Sequence, residues 1–181
     1  MRHIAIIGTG YVGLVSGSGI SEFGHKVICA DIDEEKIKVL QAGKMPIYEP
    51  GLDELVERNT KAERLSFSID VGKTIRDSEV IFIAVSTPQS ENGEADISAV
   101  KAVAKTIGQN LNSRKVVCTK STVPIGTGKL VTSIINENNP EKMEFDYISN
   151  PEFLREGSAV KDFLWPDRLV IGTKSDWGFE V

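Results

Sequence analysis

The chain has 181 residues, of which 40% are hydrophobic and 26% are charged, and its formal net charge is −5. This composition is ordinary for a globular protein, and the negative charge gives no electrostatic reason to expect nucleic acid or an anionic membrane as a partner. No apolar run reaches the roughly 20 residues that a membrane-spanning helix needs. Two cysteines are too few for a disulfide framework, which indicates a reducing cytoplasm.

The elements alternate between short apolar runs and segments with helical spacing. The first run follows Met1-Arg2-His3 directly and is broken by glycines, so we interpret it as a strand rather than a signal peptide. Asp33 is expected to cap the second helix, and Gly43 to end it. In chain order the prediction is a strand at 3–7, helix at 11–23, strand at 26–31, helix at 34–42, turn at 45–51, helix at 52–58, strand at 65–68, strand at 79–85, loop at 86–95, helix at 96–108, strand at 115–119, helix at 126–136 and strand at 145–149.

This alternation predicts an α/β fold, a Rossmann-type doubly wound parallel sheet with helices on both faces and right-handed crossovers. There is no internal linker, repeat or low-complexity tract. We therefore expect one domain over residues 1–181. Its tail after about residue 150 is expected to begin something other than the doubly wound sheet.

A glycine pattern near the start predicts a dinucleotide site. Gly8, Gly10 and Gly13 stand between a predicted strand and a predicted helix, and Asp31 closes the next strand 18 residues after Gly13. In this arrangement the first glycine permits a tight turn, the second lets the backbone approach a pyrophosphate, and the third lets the helix pack closely. The pyrophosphate would then lie against the N-terminus of the helix.

Acidic residues after the second strand favour NAD over NADP. Asp31 can accept hydrogen bonds from the adenosine ribose and should repel a 2′-phosphate, and Asp33 adds to that repulsion. Lys36 is the one nearby basic residue that opposes this interpretation. The glycine motif alone leaves FAD open, and it also leaves open that the glycines only make turns.

Three polar loops leave predicted strand ends, where ligands bind in open α/β sheets. These loops are 86–88, 120–124 and 150–157, and each contains a proline that would stiffen it. Thr122 could hold a water or a substrate hydroxyl, and Glu152 could act as a general base. If the last loop is helical, Glu152 and Glu156 share one face. The alternatives are that Thr122 caps a helix and that the glutamates only face solvent.

The cysteines and histidines are weaker candidates. Cys29 and Cys118 both fall inside strand patterns, so we interpret them as small core residues rather than nucleophiles. His3 and His25 are isolated, and no spacing typical of a metal site occurs.

The chain resembles the nucleotide-sugar dehydrogenases, the UDP-glucose/GDP-mannose dehydrogenase family, over essentially its whole length. The segments that carry the resemblance are 7–14 (IGTGYVGL), 46–52 (PIYEPGL), 93–96 (GEAD), 120–128 (KSTVPIGTG) and 150–157 (NPEFLREG). The resemblance implies oxidation of UDP-glucose to UDP-glucuronate with two NAD and one water.

Site residues follow from the resemblance by position. It implies that NAD is contacted by Gly8, Gly10, Tyr11, Val12, Gly13, Asp31, Lys36, Ser86, Thr87, Pro88, Ser121, Thr122 and Glu156. It implies that the sugar pocket is lined by Glu152, Phe153, Leu154, Arg155 and Glu156. Thr122 and Glu152 would handle water and protons, including hydrolysis of a thioester.

Members of this family are more than twice as long as this chain. The resemblance implies that a central helix for homodimerisation, a UDP-binding domain and the catalytic cysteine lie outside these residues. We therefore expect the NAD-binding half of a longer enzyme, which binds NAD but does not turn over alone. The alternatives are a GDP-mannose or UDP-N-acetylhexosamine dehydrogenase, or a non-catalytic module that senses dinucleotides.

Overall fold

The computed structural model describes all residues, 1–181, as seven strands and eight helices. The strands are β1 (His3–Ile7), β2 (Lys26–Ala30), β3 (Leu65–Ser68), β4 (Val80–Ile83), β5 (Lys115–Thr119), β6 (Phe145–Ser149) and β7 (Gly172–Thr173). The helices are α1 (Tyr11–Glu22), α2 (Glu34–Gln41), α3 (Leu52–Lys61), α4 (Val71–Arg76), α5 (Ser98–Asn110), α6 (Thr127–Glu137), α7 (Ala159–Leu164) and α8 (Asp176–Glu180). No helix is both long enough and apolar enough to cross a membrane.

The strands form one sheet in the order β3-β2-β1-β4-β5-β6-β7. All neighbours from β3 to β6 pair in parallel, and only β7 runs antiparallel to its neighbour β6. The strand order reverses between β1 and β4, which creates a crevice at their carboxyl ends. The predicted doubly wound sheet is confirmed.

The sheet is buried on both faces, which explains why its strands are continuous apolar runs. One buried cluster contains Ile6, Val27 and Leu14 and joins the sheet to α1, α2 and α3. The other contains Ile7, Ile81 and further side chains from α4, α5 and α6. Each fully buried Leu or Ile stabilises the fold by about 1.5–3 kcal/mol.

Helix α4 is absent from the sequence prediction. Its six residues are too few to show a clear helical period. Asp70 caps this helix, because its carboxylate accepts a hydrogen bond from the Lys73 N–H at 2.7 Å. The helix supplies the crossover that a parallel β3–β4 connection requires.

The expectation that something else begins near residue 150 is wrong. Strand β7 extends the sheet by pairing with β6, and α7 packs against α1. Gly19 of α1 makes this packing possible, since a Cβ there would lie 2.2 Å from a ring atom of Phe163. The tail therefore belongs to the same packed unit as the sheet.

Candidate cofactor and active site

The glycine turn after β1 is tightly packed at two of its three glycines. Gly8 has φ +107°, and a Cβ at this position would lie 2.7 Å from the Ala84 carbonyl oxygen. A Cβ on Gly13 would lie only 1.9 Å from the Gly8 carbonyl oxygen. These contacts hold α1 close to the ends of β1 and β4, as the sequence motif predicts.

Gly10, the middle glycine of the motif, faces open space. A Cβ on Gly10 would meet no protein atom within 4 Å, and its φ of −74° is accessible to any residue. Helix α1 begins at Tyr11 without a side-chain cap. The first N–H groups of α1 therefore border a free volume, which suits a pyrophosphate at a helix N-terminus.

Asp31, at the end of β2, is held against this turn. Its Oδ2 accepts hydrogen bonds from the backbone N–H and the hydroxyl of Thr9, both at 2.8 Å. Its Oδ1 accepts the Asp33 N–H at 3.1 Å. Burial works to raise the pKa of Asp31, but these hydrogen bonds and the nearby Lys36 hold it below its ordinary value. The carboxylate is thus ionised and oriented for a ribose hydroxyl.

The Lys36 side chain lies beside the carboxylates of Asp31 and Asp33 rather than beside an open site for an anion. Its Nζ lies 4.0 Å from Asp31 Oδ2 and 3.7 Å from Asp33 Oδ2. Asp33 also caps α2 by accepting the Lys36 N–H at 3.1 Å, which confirms the predicted cap. The arrangement leaves the surroundings of Asp31 unsuited to a 2′-phosphate.

The loops after β4 and β5 are joined by two hydrogen bonds. The Thr87 hydroxyl donates to the Thr122 carbonyl oxygen at 2.8 Å, and the Ser121 hydroxyl donates to the Val85 carbonyl oxygen at 2.6 Å. Ser121 is buried, whereas Ser86 and Pro88 are exposed. The structure therefore brings these loops together, but the Ser121 hydroxyl is already engaged in holding them.

Thr122 is exposed, and its hydroxyl makes no hydrogen bond within the chain. Helix α6 begins at Thr127, with Gly126 as its N-cap. The alternative that Thr122 caps this helix is therefore wrong. Its hydroxyl is free to bind a ligand or a water.

The loop after β6 is not helical between residues 151 and 155, and a turn covers 156–158. Pro151 disfavours helical backbone at the preceding Asn150, and Gly157 has φ +85°. The possibility that Glu152 and Glu156 share a helix face is thus wrong. Glu152 is half-buried and its Oε2 accepts the Leu154 N–H at 2.6 Å, while Glu156 is exposed.

The three residues between these glutamates point in different directions. Phe153 is exposed, and the Arg168 guanidinium lies 5.4 Å from its ring centroid. Leu154 packs against the core. Arg155 is engaged by Asp162, with Nη2 2.7 Å from Oδ1 and Nε 3.0 Å from Oδ2.

Lys120 is a buried cation beside this loop to which sequence reasoning assigned no role. It is 6% exposed, has no ion-pair partner, and its Nζ donates to Asn150 Oδ1 at 3.1 Å. Asn150 Nδ2 in turn donates to the Val170 carbonyl oxygen at 2.9 Å. Burial lowers the pKa of Lys120, although nearby Cys118 and Glu152 oppose this shift. The pair links the ends of β5 and β6.

Glu49 is a second residue that sequence reasoning left without a role. It precedes α3, is 3% exposed, and accepts hydrogen bonds from Tyr11, Gly157 and Ala159. Its position within the segment 46–52 was the only available signal, because its burial depends on contacts distant in sequence.

The cysteines are core residues, as predicted. Cys29 and Cys118 are buried and unpaired. Burial raises the pKa of each thiol to about 12. Neither is therefore a reactive thiolate at neutral pH.

Comparison with known proteins places this geometry in a family. The family model for the UDP-glucose/GDP-mannose dehydrogenase family, NAD binding domain, matches residues 2–179. The chain is 57% identical over 175 residues to the UDP-glucose 6-dehydrogenase TuaD of Bacillus subtilis, covering 97% of this chain and 38% of that protein.

Two solved structures superimpose closely. A UDP-glucose dehydrogenase from Pyrobaculum islandicum has a TM-score of 0.96 and 38% identity, with 99% of this chain and 42% of that chain covered. A GDP-mannose dehydrogenase from Pseudomonas aeruginosa has a TM-score of 0.94 and 38% identity, with 98% and 42% covered. The chain thus spans about two fifths of the length of these relatives. It belongs to the UDP-glucose/GDP-mannose dehydrogenase family, of which it is the NAD-binding domain.

Proposed function

We propose that this chain is the NAD-binding part of a UDP-glucose 6-dehydrogenase. The observation that carries the proposal is the placement of two polar residues in neighbouring loops: Thr122, whose hydroxyl makes no hydrogen bond within the chain, and Glu152, whose carboxylate makes no ion pair. They follow the neighbouring strands β5 and β6, at the same edge of the sheet as the uncapped start of α1. This edge is where ligands bind in open α/β folds.

The proposed reaction converts the primary alcohol of UDP-glucose to a carboxylate. One water supplies the second oxygen, two hydrides pass to two NAD, and three protons are released to groups in the site or to solvent. Bound NAD supplies the hydride acceptor in both oxidations. The acidic surroundings of Asp31 favour NAD as that acceptor.

Thr122 and Glu152 supply proton and water handling in this proposal. The Thr122 hydroxyl can hold the substrate hydroxyl or the water by a hydrogen bond. The Leu154 N–H fixes Glu152 through Oε2, which leaves Oε1 free to accept a proton. The remaining loop contacts, through Phe153, Leu154, Arg155 and Glu156, belong to the sugar pocket in the same proposal.

By itself this chain is proposed to bind NAD without turnover. The resemblance implies a cysteine nucleophile that traps the aldehyde, and such a nucleophile must form a thiolate. Cys29 and Cys118 are buried with raised pKa values, so neither can serve. The nucleophile is proposed to come from a further part of the longer protein.

The first test mixes the purified chain with NAD and UDP-glucose and follows NADH absorbance, with NAD binding measured in the same sample. Binding without NADH is the expected result. NADH formation would mean that a residue among these 181 traps the aldehyde, or that no trap is needed.

The second test replaces Glu152 by Gln in a longer enzyme that contains this chain. Turnover should fall by at least about 100-fold with NAD affinity retained, as expected for a lost general base. The matched control is Glu141→Gln, an exposed glutamate whose side chain makes no hydrogen bond or ion pair. Unchanged turnover in Glu152→Gln would favour a dinucleotide-sensing module instead.

GDP-mannose is the second candidate substrate, because the GDP-mannose dehydrogenase structure matches this chain at the same identity as the UDP-glucose enzyme. A screen of UDP-glucose, GDP-mannose and UDP-N-acetylhexosamines with the longer enzyme separates these possibilities. We expect the highest kcat/KM for UDP-glucose, and a higher value for another sugar would transfer the assignment.

The same proposal covers the oligomeric state, location and partners of the longer protein. We propose that it forms a homodimer through a central helix and lies in the cytoplasm, without a nucleic-acid or membrane partner. Light scattering during size-exclusion chromatography of the longer protein tests the homodimer, and a monomeric mass would refute it.

A further inference from the structure

Glu49 connects two loops that are far apart in sequence. Its Oε2 accepts hydrogen bonds from the Tyr11 hydroxyl and from the Gly157 N–H, the latter at 2.8 Å. Its Oε1 accepts the Ala159 N–H at 2.8 Å. Glu49 and Gly157 are separated by 108 positions along the chain. One buried carboxylate therefore joins the start of α1 to the end of the loop after β6.

No cation takes part in this cluster, since Glu49 forms no ion pair. Burial works to raise the pKa of Glu49, but the bonds from Tyr11, Gly157 and Ala159 hold it below the ordinary value. Only an ionised carboxylate accepts at both oxygens and donates at neither. A glutamine would turn an N–H₂ group toward N–H donors, so the charge itself is required.

The two segments joined by Glu49 are the two halves of the site. Tyr11 is the first residue of α1, at the turn where the pyrophosphate binds in such folds. Gly157 and Ala159 close the loop that carries Glu152 and Glu156. The Tyr11 hydroxyl also lies 3.4 Å from the Arg155 carbonyl oxygen in this loop.

We propose that Glu49 is a positioning residue that couples dinucleotide binding at the start of α1 to the placement of the loop carrying Glu152 and Glu156. Tyr11 transmits the coupling through its hydroxyl. The inference rests on the proposed function, because that function assigns the roles of Glu152 and Glu156 at the site. Glu49 acts indirectly, through its hydrogen bonds with the Tyr11 hydroxyl and the Gly157 and Ala159 amides.

A double-mutant cycle on NAD affinity tests the coupling in the 181-residue chain. The variants are Glu49→Gln, Tyr11→Phe and the double substitution, with dissociation constants measured by titration. Each single substitution should weaken NAD binding by about tenfold, as for one lost hydrogen bond to a charged group. The double variant should bind no worse than Glu49→Gln alone, because both changes break one shared interaction.

Amide hydrogen exchange distinguishes coupling from a merely structural role of Glu49, because a structural role predicts no change in the effect of NAD on the exchange rates. NAD should slow exchange at the Gly157 and Ala159 amides of the unsubstituted chain. In Tyr11→Phe the bonds from these amides to Glu49 remain, yet the NAD-dependent slowing should be lost. Because Tyr11→Phe removes only a hydroxyl, this measurement stands even where Glu49→Gln fails to fold.

Matched controls are Tyr48→Phe and Glu54→Gln. Tyr48 is 89% exposed, and Glu54 is exposed in the first turn of α3. Both should bind NAD as the unsubstituted chain does. Additive losses in the cycle, or NAD-dependent protection retained in Tyr11→Phe, would overturn the inference. Neither readout involves a nucleotide sugar, so full turnover of Glu152→Gln in the longer enzyme would refute the proposed function separately.

Discussion

Asp31 accepts two hydrogen bonds from Thr9 through the same oxygen, one from its N–H and one from its hydroxyl, each 2.8 Å long. These bonds fix the end of β2 against the turn after β1. The carboxylate is therefore oriented before a ligand arrives, which lowers the entropic penalty of binding. Asp31 and the glycine turn thus form one preorganised unit rather than two separate contacts.

Replacing Asp31 by Asn should weaken NAD binding by about tenfold, since hydrogen bonds from ribose hydroxyls to a charged acceptor are lost. The preference for NAD over NADP should fall as well, because the amide no longer repels a 2′-phosphate. Titration of both dinucleotides measures the ratio. Asp53→Asn, at an exposed position in the first turn of α3, is the control. An unchanged NAD/NADP ratio in Asp31→Asn would contradict this role.

Two glycine-to-alanine substitutions in one motif should impair different properties, one the stability of the fold and the other the affinity for NAD. Gly13→Ala places a Cβ 1.9 Å from the Gly8 carbonyl oxygen, so the free energy of unfolding should fall by more than about 3 kcal/mol. Gly10→Ala meets no protein atom within 4 Å and should leave stability nearly unchanged. Its methyl group should nevertheless reduce NAD affinity by at least about tenfold, because it enters the space of the pyrophosphate.

Urea unfolding and NAD titration of the two variants separate these effects. A stable Gly13→Ala protein would mean that α1 can move away from the turn. Undiminished NAD affinity in Gly10→Ala would place the pyrophosphate elsewhere.

Asp162 should contribute to acid sensitivity. Its hydrogen bonds with Arg155 lower the pKa of its carboxyl from 3.8 to about 2. A carboxyl whose pKa is lower in the folded state stabilises the fold above its unfolded pKa, and this contribution disappears as the pH falls through the folded pKa. The Asp162 contribution should therefore be complete above about pH 5 and lost between about pH 4 and pH 2.

Urea unfolding from pH 6 to pH 2 measures this contribution as the difference between the unsubstituted chain and Asp162→Asn. The difference should shrink across the acidic range, because the protonated carboxyl resembles the amide. Asp53→Asn, which removes an exposed carboxylate without an ion pair, should show a much smaller change. A difference independent of pH would indicate that Arg155 does not hold Asp162 in solution.

The two thiols should be unreactive in the folded chain. Cys29 and Cys118 are buried, and burial raises the pKa of each to about 12. A chromogenic disulfide reagent at pH 8 should therefore modify neither residue until urea unfolds the protein. Rapid modification of one thiol under native conditions would revive it as a candidate nucleophile.

The parts of this protein that sequence alone determined are those with local causes. Four features depend only on neighbours within one β–α–β unit. They are the apolar strand runs, the glycine turn at Gly8, the position of Asp31 eighteen residues after Gly13, and the Asp33 cap. The alternation of elements then determines a parallel, doubly wound sheet, because few other connections are possible. The family resemblance rests on the same local segments.

Tertiary structure decided what depends on distant partners. Residues 151–155 are irregular rather than helical, and the tail from α7 onward packs against α1 and β6. Glu49 and Lys120 read as ordinary charged loop residues in the sequence, yet both are buried at the site. The periodicity of a sequence predicts which face of an element is apolar, but it does not predict which charged side chain hydrogen-bonds to which donor. That information arises only when segments such as 46–52 and 150–159 come into contact.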